Sequence, residues 1–112
     1  MRESRHAQLL RHSTGRLFWI GHINPVNPRG NRPRYPLYLG EVSTTSGLLL
    51  RQSLVKIDDR QPGDDETLMI YNIYAREDRR TKEIVIHASR IVTPGGIFSG
   101  DAMLYRVQPA LR

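Results

Sequence analysis

The chain has 112 residues, no cysteine and a formal charge of +6, which is the size of one ordinary domain with a single hydrophobic core. The missing cysteines exclude disulfides, thiolate nucleophiles and Cys-ligated zinc, and apolar runs such as Leu48-Leu49-Leu50 fall far short of the roughly 20 residues a membrane-spanning helix needs. Glu3, Arg5, His6 and Arg11 interrupt what would be the apolar stretch of a secretory leader, so the expectation is a cytoplasmic protein with no membrane partner.

Taken in chain order, residues 3–12 read as a short helix within a basic N-terminal segment, residues 1–14. Residues 16–23 (RLFWIGHI), aromatic and β-branched between Gly15 and Asn24-Pro25, carry a strand signature. Residues 35–42 (YPLYLGEV) form a second run, with Pro36 marking an edge or a strand start and Gly40 a bulge or a close backbone approach. Residues 48–57 (LLLRQSLVKI) suit its hairpin partner, and the acidic passage 58–66 (DDRQPGDDE) reads as a solvated turn. Residues 67–76 and 81–91 flank a short charged connection and predict an antiparallel hairpin. Pro94-Gly95 occupies the central positions of a type II turn, residues 99–101 read as a further break, and residues 102–107 form a last strand. Five to six short strands in one domain, residues 1–112, predict an all-β fold: a small antiparallel barrel or sandwich with a short N-terminal helix. The barrel is preferred because closure removes open edges.

The charge is unevenly placed. Residues 1–34 hold seven arginines against the single acid Glu3, while residues 35–112 hold ten basic and ten acidic side chains. The stretch NPVNPRGNRPRYP, residues 24–36, contains four prolines, three arginines and no acid. Guanidinium groups engage phosphate through a bidentate fork, and prolines keep such a loop extended. Arg29, Arg32 and Arg34, helped by Arg16 and by Tyr35 as a stacking surface, are therefore the candidate contacts to single-stranded DNA or RNA, bound with low sequence specificity. The competing expectation is a non-enzymatic assembly or interaction module in which the proline-rich loop and strand edges pack against another copy or another protein. Residues 67–75 are also apolar on both faces of a strand and carry no charge. That pattern implies a homo-oligomer. Tyr71 and Tyr74, three apart, are expected on opposite faces.

The sequence holds no metal or cofactor pattern. His6 and His12 are six apart, His22 and His87 lie on separate strands, and the acids of residues 58–66 lack the alternating order of a calcium loop. No phosphate-binding glycine motif and no nucleophile elbow is present. Residues 15–42, GRLFWIGHINPVNPRGNRPRYPLYLGEV, resemble the opening of the MazF-type endoribonuclease toxins, in which a Trp-containing strand, an Asn/Asp-Pro and a basic loop with an Arg-Pro lead into strand two. The resemblance implies RNA cleavage assisted by Arg29, Arg32 or Arg34 together with Thr44 or Thr45. It gives a lesser alternative to the binding readings, since the Pro-Val-Thr type turn of that family is not recognisable in residues 43–57.

Overall fold

The computed structural model of the protein describes residues 2–3, 7–24 and 35–110, with 2–3 and 24 as backbone. These form eight strands: β1 (Arg2–Glu3), β2 (Gln8–Arg11), β3 (Leu17–Asn24), β4 (Leu37–Val42), β5 (Leu49–Asp58), β6 (Met69–Glu77), β7 (Ile84–Val92) and β8 (Ser99–Val107). All pairings are antiparallel. Strands β3, β4 and β5 make sheet one, with β1 and β2 in line along the free edge of β3; β6, β7 and β8 make sheet two as a meander.

Alternation along the strands explains the packing. On β3, Phe18 and Ile20 turn inward, and on β4 Leu37 and Leu39 do so; they meet Ile70, Ala75, Ile84, Ile86 and Ala88 of sheet two in one buried core. Strand β4 begins directly after Pro36 and sits centrally between β3 and β5, so the proline marks a strand start and not an edge. At Gly40 a β-carbon would stand 2.9 Å from side-chain atoms of both Leu49 and Leu54, beside a register shift between Leu39 and Glu41. Ser53 repairs that interruption: its hydroxyl accepts from the Glu41 N–H at 2.7 Å and donates to the Leu50 carbonyl at 2.5 Å.

Three expectations are corrected. Residues 8–11 are a strand and not a helix, because pairing with β3 satisfies their backbone, which a lone helix of such length cannot do stably in water. Residues 99–101 belong to β8, where Gly100 lies so close to β7 that an added β-carbon would fall 2.0 Å from the Arg90 carbonyl oxygen. The sheets form an open sandwich and not a barrel, since among the described residues no strand ladder joins β2 to β6 or β5 to β8.

Side chains tie the two sheets instead. Gln8 on β2 holds Ala75 on β6 through two hydrogen bonds. His12 is buried, and its Nε2 lies 2.7 Å from the Lys82 carbonyl, which can only accept. Nε2 therefore carries the proton, and Nδ1 accepts from Thr14 Oγ1 at 2.8 Å. Ser13 beside it donates from N–H and hydroxyl to Glu77, at 2.7 and 2.5 Å.

Candidate docking faces

Of the five residues singled out for nucleic-acid contact, Arg29, Arg32 and Arg34 lie outside the described residues. The other two are placed within the fold. Arg16 is committed internally: Nη2 pairs with Glu41 Oε1 at 2.9 Å, Nη1 donates to the Ala110 carbonyl at 2.7 Å, and the guanidinium stands 5.0 Å from the Phe18 ring centroid. Glu41 offsets its charge, so Arg16 serves the fold. Tyr35 packs on the edge of the core with the Arg60 guanidinium 4.4 Å from its ring centroid. The pair lines a concavity of about 480 Å³ with Glu66, Thr67, Leu68, Met69 and Thr93. Thr44 and Thr45 occupy the turn after Val42, at the opposite end of six-residue β4 from Tyr35, a separation of roughly 20 Å along the strand.

One titratable cluster spans the sheets. Asp58, ending β5, accepts from Arg90 Nη1 at 2.6 Å and from the Tyr105 hydroxyl, while Arg90 Nη2 reaches Asp64 at 3.1 Å. Burial works against the charge on Asp58, but the hydrogen bonds from Tyr105 and Arg90 outweigh it and hold its carboxyl below the usual range. Burial, then the bond to Asp58, pushes the Tyr105 phenol up. Every member has a partner, which marks the cluster as an inter-sheet tie. The sequence reading of residues 58–66 as a solvated turn missed it, because the basic partner lies 32 residues away on β7.

The unusual surface is on the outward faces of the sheets. Positive φ at Asn72 (+55°) and a register shift between Tyr71 and Tyr74 insert a bulge in β6. The bulge pairs Tyr71 with Ser89 and Tyr74 with His87. Cross-strand partners share a face, and Ser89 and His87 are two apart on β7, so both tyrosines lie on the outer face, contrary to the expectation from their spacing. Ile73 between them packs against the core. The outer face of sheet two thus carries the cross-strand row Tyr74, His87 and Leu104, with the Tyr74 and His87 rings 5.9 Å apart. Tyr74 is 57% and Leu104 51% exposed. At one end Arg106 meets Asp78 at 3.3 Å and Glu83 at 3.2 Å.

Sheet one is also apolar outside. The register places Leu9 opposite Trp19, and Arg11, Leu17, Val42 and Leu49 in one row across four strands. Leu9, Leu17, Trp19, Val42, Leu48 and Leu49 line an open groove of about 620 Å³ with Gly47 and Arg51. Leu9 is 60% and Leu48 68% exposed. The Trp19 ring lies along its strand over Gly21, where a β-carbon would come within 2.6 Å of Cζ2.

Among the described residues no group of three or more metal-ligating side chains is present, and no helix is long and apolar enough to cross a membrane. Comparison of the chain with family models, with curated proteins and with solved structures finds no match.

Proposed function

We propose that this chain is a non-enzymatic self-assembly module that packs against a second copy of itself through the outer face of sheet two. The observation that carries the reading is the cross-strand row on the outer face of sheet two in which Tyr74 and Leu104 are exposed with half-buried His87 between them. A sandwich normally alternates apolar inside with polar outside, and contiguous apolar surface beyond a few hundred Å² on a soluble protein marks an interaction site. Arg106, Asp78 and Glu83 put both signs of charge at one end of that face, so two copies related by a two-fold axis meet without a like-charge clash. Sedimentation velocity tests the reading. The wild-type chain is expected to shift from monomer to dimer with rising concentration, and the double variant Tyr74→Lys, Leu104→Lys to stay monomeric. A wild type monomeric at every concentration would overturn it.

A second reading draws on Arg60 over Tyr35, a stacked cation and ring at the residue that follows 25–34 in the sequence. In this reading Tyr35 with Arg60 offers a stacking platform for a base of single-stranded DNA or RNA, and Arg29, Arg32 and Arg34 supply the phosphate contacts. Replacing the three loop arginines with alanine is then expected to reduce the slope of log K against log salt by about two for single strands. Binding that ignores salt would remove this reading.

A further inference from the structure

On a different face from the self-association surface, we infer that the outer groove of sheet one is a docking site for an extended polypeptide segment whose apolar centre is flanked by acidic residues. The groove crosses the sheet at one end, from Leu9 on β2 through Leu17 and Trp19 on β3 and Val42 on β4 to Leu48 and Leu49 at β5. Four strands at about 4.8 Å spacing make it roughly 14 Å from first to last, the reach of about four extended residues. Its floor is built to stay apolar and low. Gly21 gives room for the Trp19 indole, and Gly40, directly opposite Trp19, lets Leu49 and Leu54 lie over β4.

Charge selects the occupant. Arg51 is the one ionisable side chain lining the groove among the described residues, and no acid lines it. Arg11 stands at the β2 end of the Leu17–Val42–Leu49 row, exposed and without a hydrogen bond or ion pair among the described residues. A second copy laid face to face on this groove would bring its own unengaged Arg11 to a surface that no acid lines, so charge gives self-pairing no support here. A carboxylate on the incoming chain meets Arg11 at the β2 end, with the neighbouring apolar residues covering Trp19. A nucleic acid would satisfy the arginines but would leave the six apolar side chains facing charged phosphates.

Trp19, the single tryptophan of the chain, reports directly on the groove. The probes are two synthetic peptides, each with a centre of alternating leucine and valine, one capped at both ends by aspartate and the other by lysine. Titrated against the Leu104→Lys variant, so that self-association through sheet two plays no part, the aspartate-capped peptide is expected to blue-shift Trp19 emission with at least tenfold higher affinity than its lysine twin. Arg11→Glu, at an exposed position that leaves the core untouched, is expected to reverse that preference. Equal affinity for both peptides, or no response of Trp19 to either, would overturn the proposal. So would a stronger Trp19 response to oligo(dT), which would assign the groove to nucleic acid.

Discussion

The side-chain amide of Gln8 pairs with the backbone of Ala75 as a strand would: Nε2 donates to the Ala75 carbonyl at 2.7 Å and Oε1 accepts from the Ala75 N–H at 2.7 Å. Ala75 is buried, and among the described residues β6 has no ladder partner on that side, so the glutamine satisfies a donor and an acceptor between the sheets that no strand engages there. Replacement by leucine keeps the bulk and removes both bonds. Gln8→Leu is expected to lower stability by about 1–3 kcal/mol, the cost of leaving buried polar groups unpaired. Urea denaturation of the two proteins measures the difference, and equal midpoints would show that the sheets are held by the core alone.

The second tie between the sheets sets a pH window. The Tyr105 phenol is raised above its usual 10.0 by burial and by Asp58, so the stability it brings is complete below about pH 10 and lost as pH rises beyond. Asp58 is lowered from 3.8 despite burial, through Tyr105 and Arg90, so its contribution is present above about pH 4 and lost on acidification. Tyr105→Phe is expected to be about 1–2 kcal/mol less stable at pH 7, from the lost hydrogen bond to a charged acceptor. The difference should shrink above pH 10, and a gap unchanged to pH 11 would contradict the assignment.

Asp78 closes the turn between β6 and β7. The N–H groups of Thr81 and Arg80, then Arg106, hold its carboxyl down to about 2 from 3.8. A depressed carboxylate stabilises the fold above its unfolded value and loses that effect as pH falls toward the folded one. The hairpin is therefore expected to loosen between about pH 4 and pH 2, and Asp78→Asn to remove that acid dependence. Amide exchange at residues 78–84, followed across this range in both proteins, checks it.

Neighbouring substitutions on β6 separate fold from surface. Ile73 points into the core and Tyr71 toward the outer face. Ile73→Lys buries an uncompensated charge and is expected to unfold the chain, a loss of several kcal/mol. Tyr71→Lys is expected to change the melting temperature by only a few degrees while weakening self-association. Circular dichroism and light scattering on the pair distinguish the outcomes, and a folded Ile73→Lys would mean that the bulge at Asn72 is misplaced.

Much of the β framework is written locally. Gly15 and Asn24-Pro25 bracket β3, Pro36 precedes β4, and Pro94 with Gly95 at φ +63° forms the turn into β8. What depends on distant partners is not legible. Residues 3–12 read as a helix because the strand character of Gln8 to Arg11 comes only from pairing with β3. Gly100 reads as a turn residue because its reason, the Arg90 carbonyl, lies on another strand. The tyrosine face was hidden for a different cause: a period-two reading assumes an unbroken ladder, and Asn72 breaks it. Of the seven arginines in residues 1–34, Arg16 is paired with Glu41, Arg11 is exposed on β2, and the side chains of the other five lie outside the described residues.

The central claim is that two copies meet over Tyr74 and Leu104. Its most direct test is an isotope-filtered NOE experiment on an equal mixture of uniformly labelled and unlabelled chain. The expected result is a set of intermolecular contacts between the Leu104 methyl groups and the rings of Tyr71 and Tyr74, absent from Tyr74→Lys, Leu104→Lys. Intermolecular contacts confined to Leu9, Trp19 and Leu48, or none at a concentration where the protein sediments as a dimer, would contradict it.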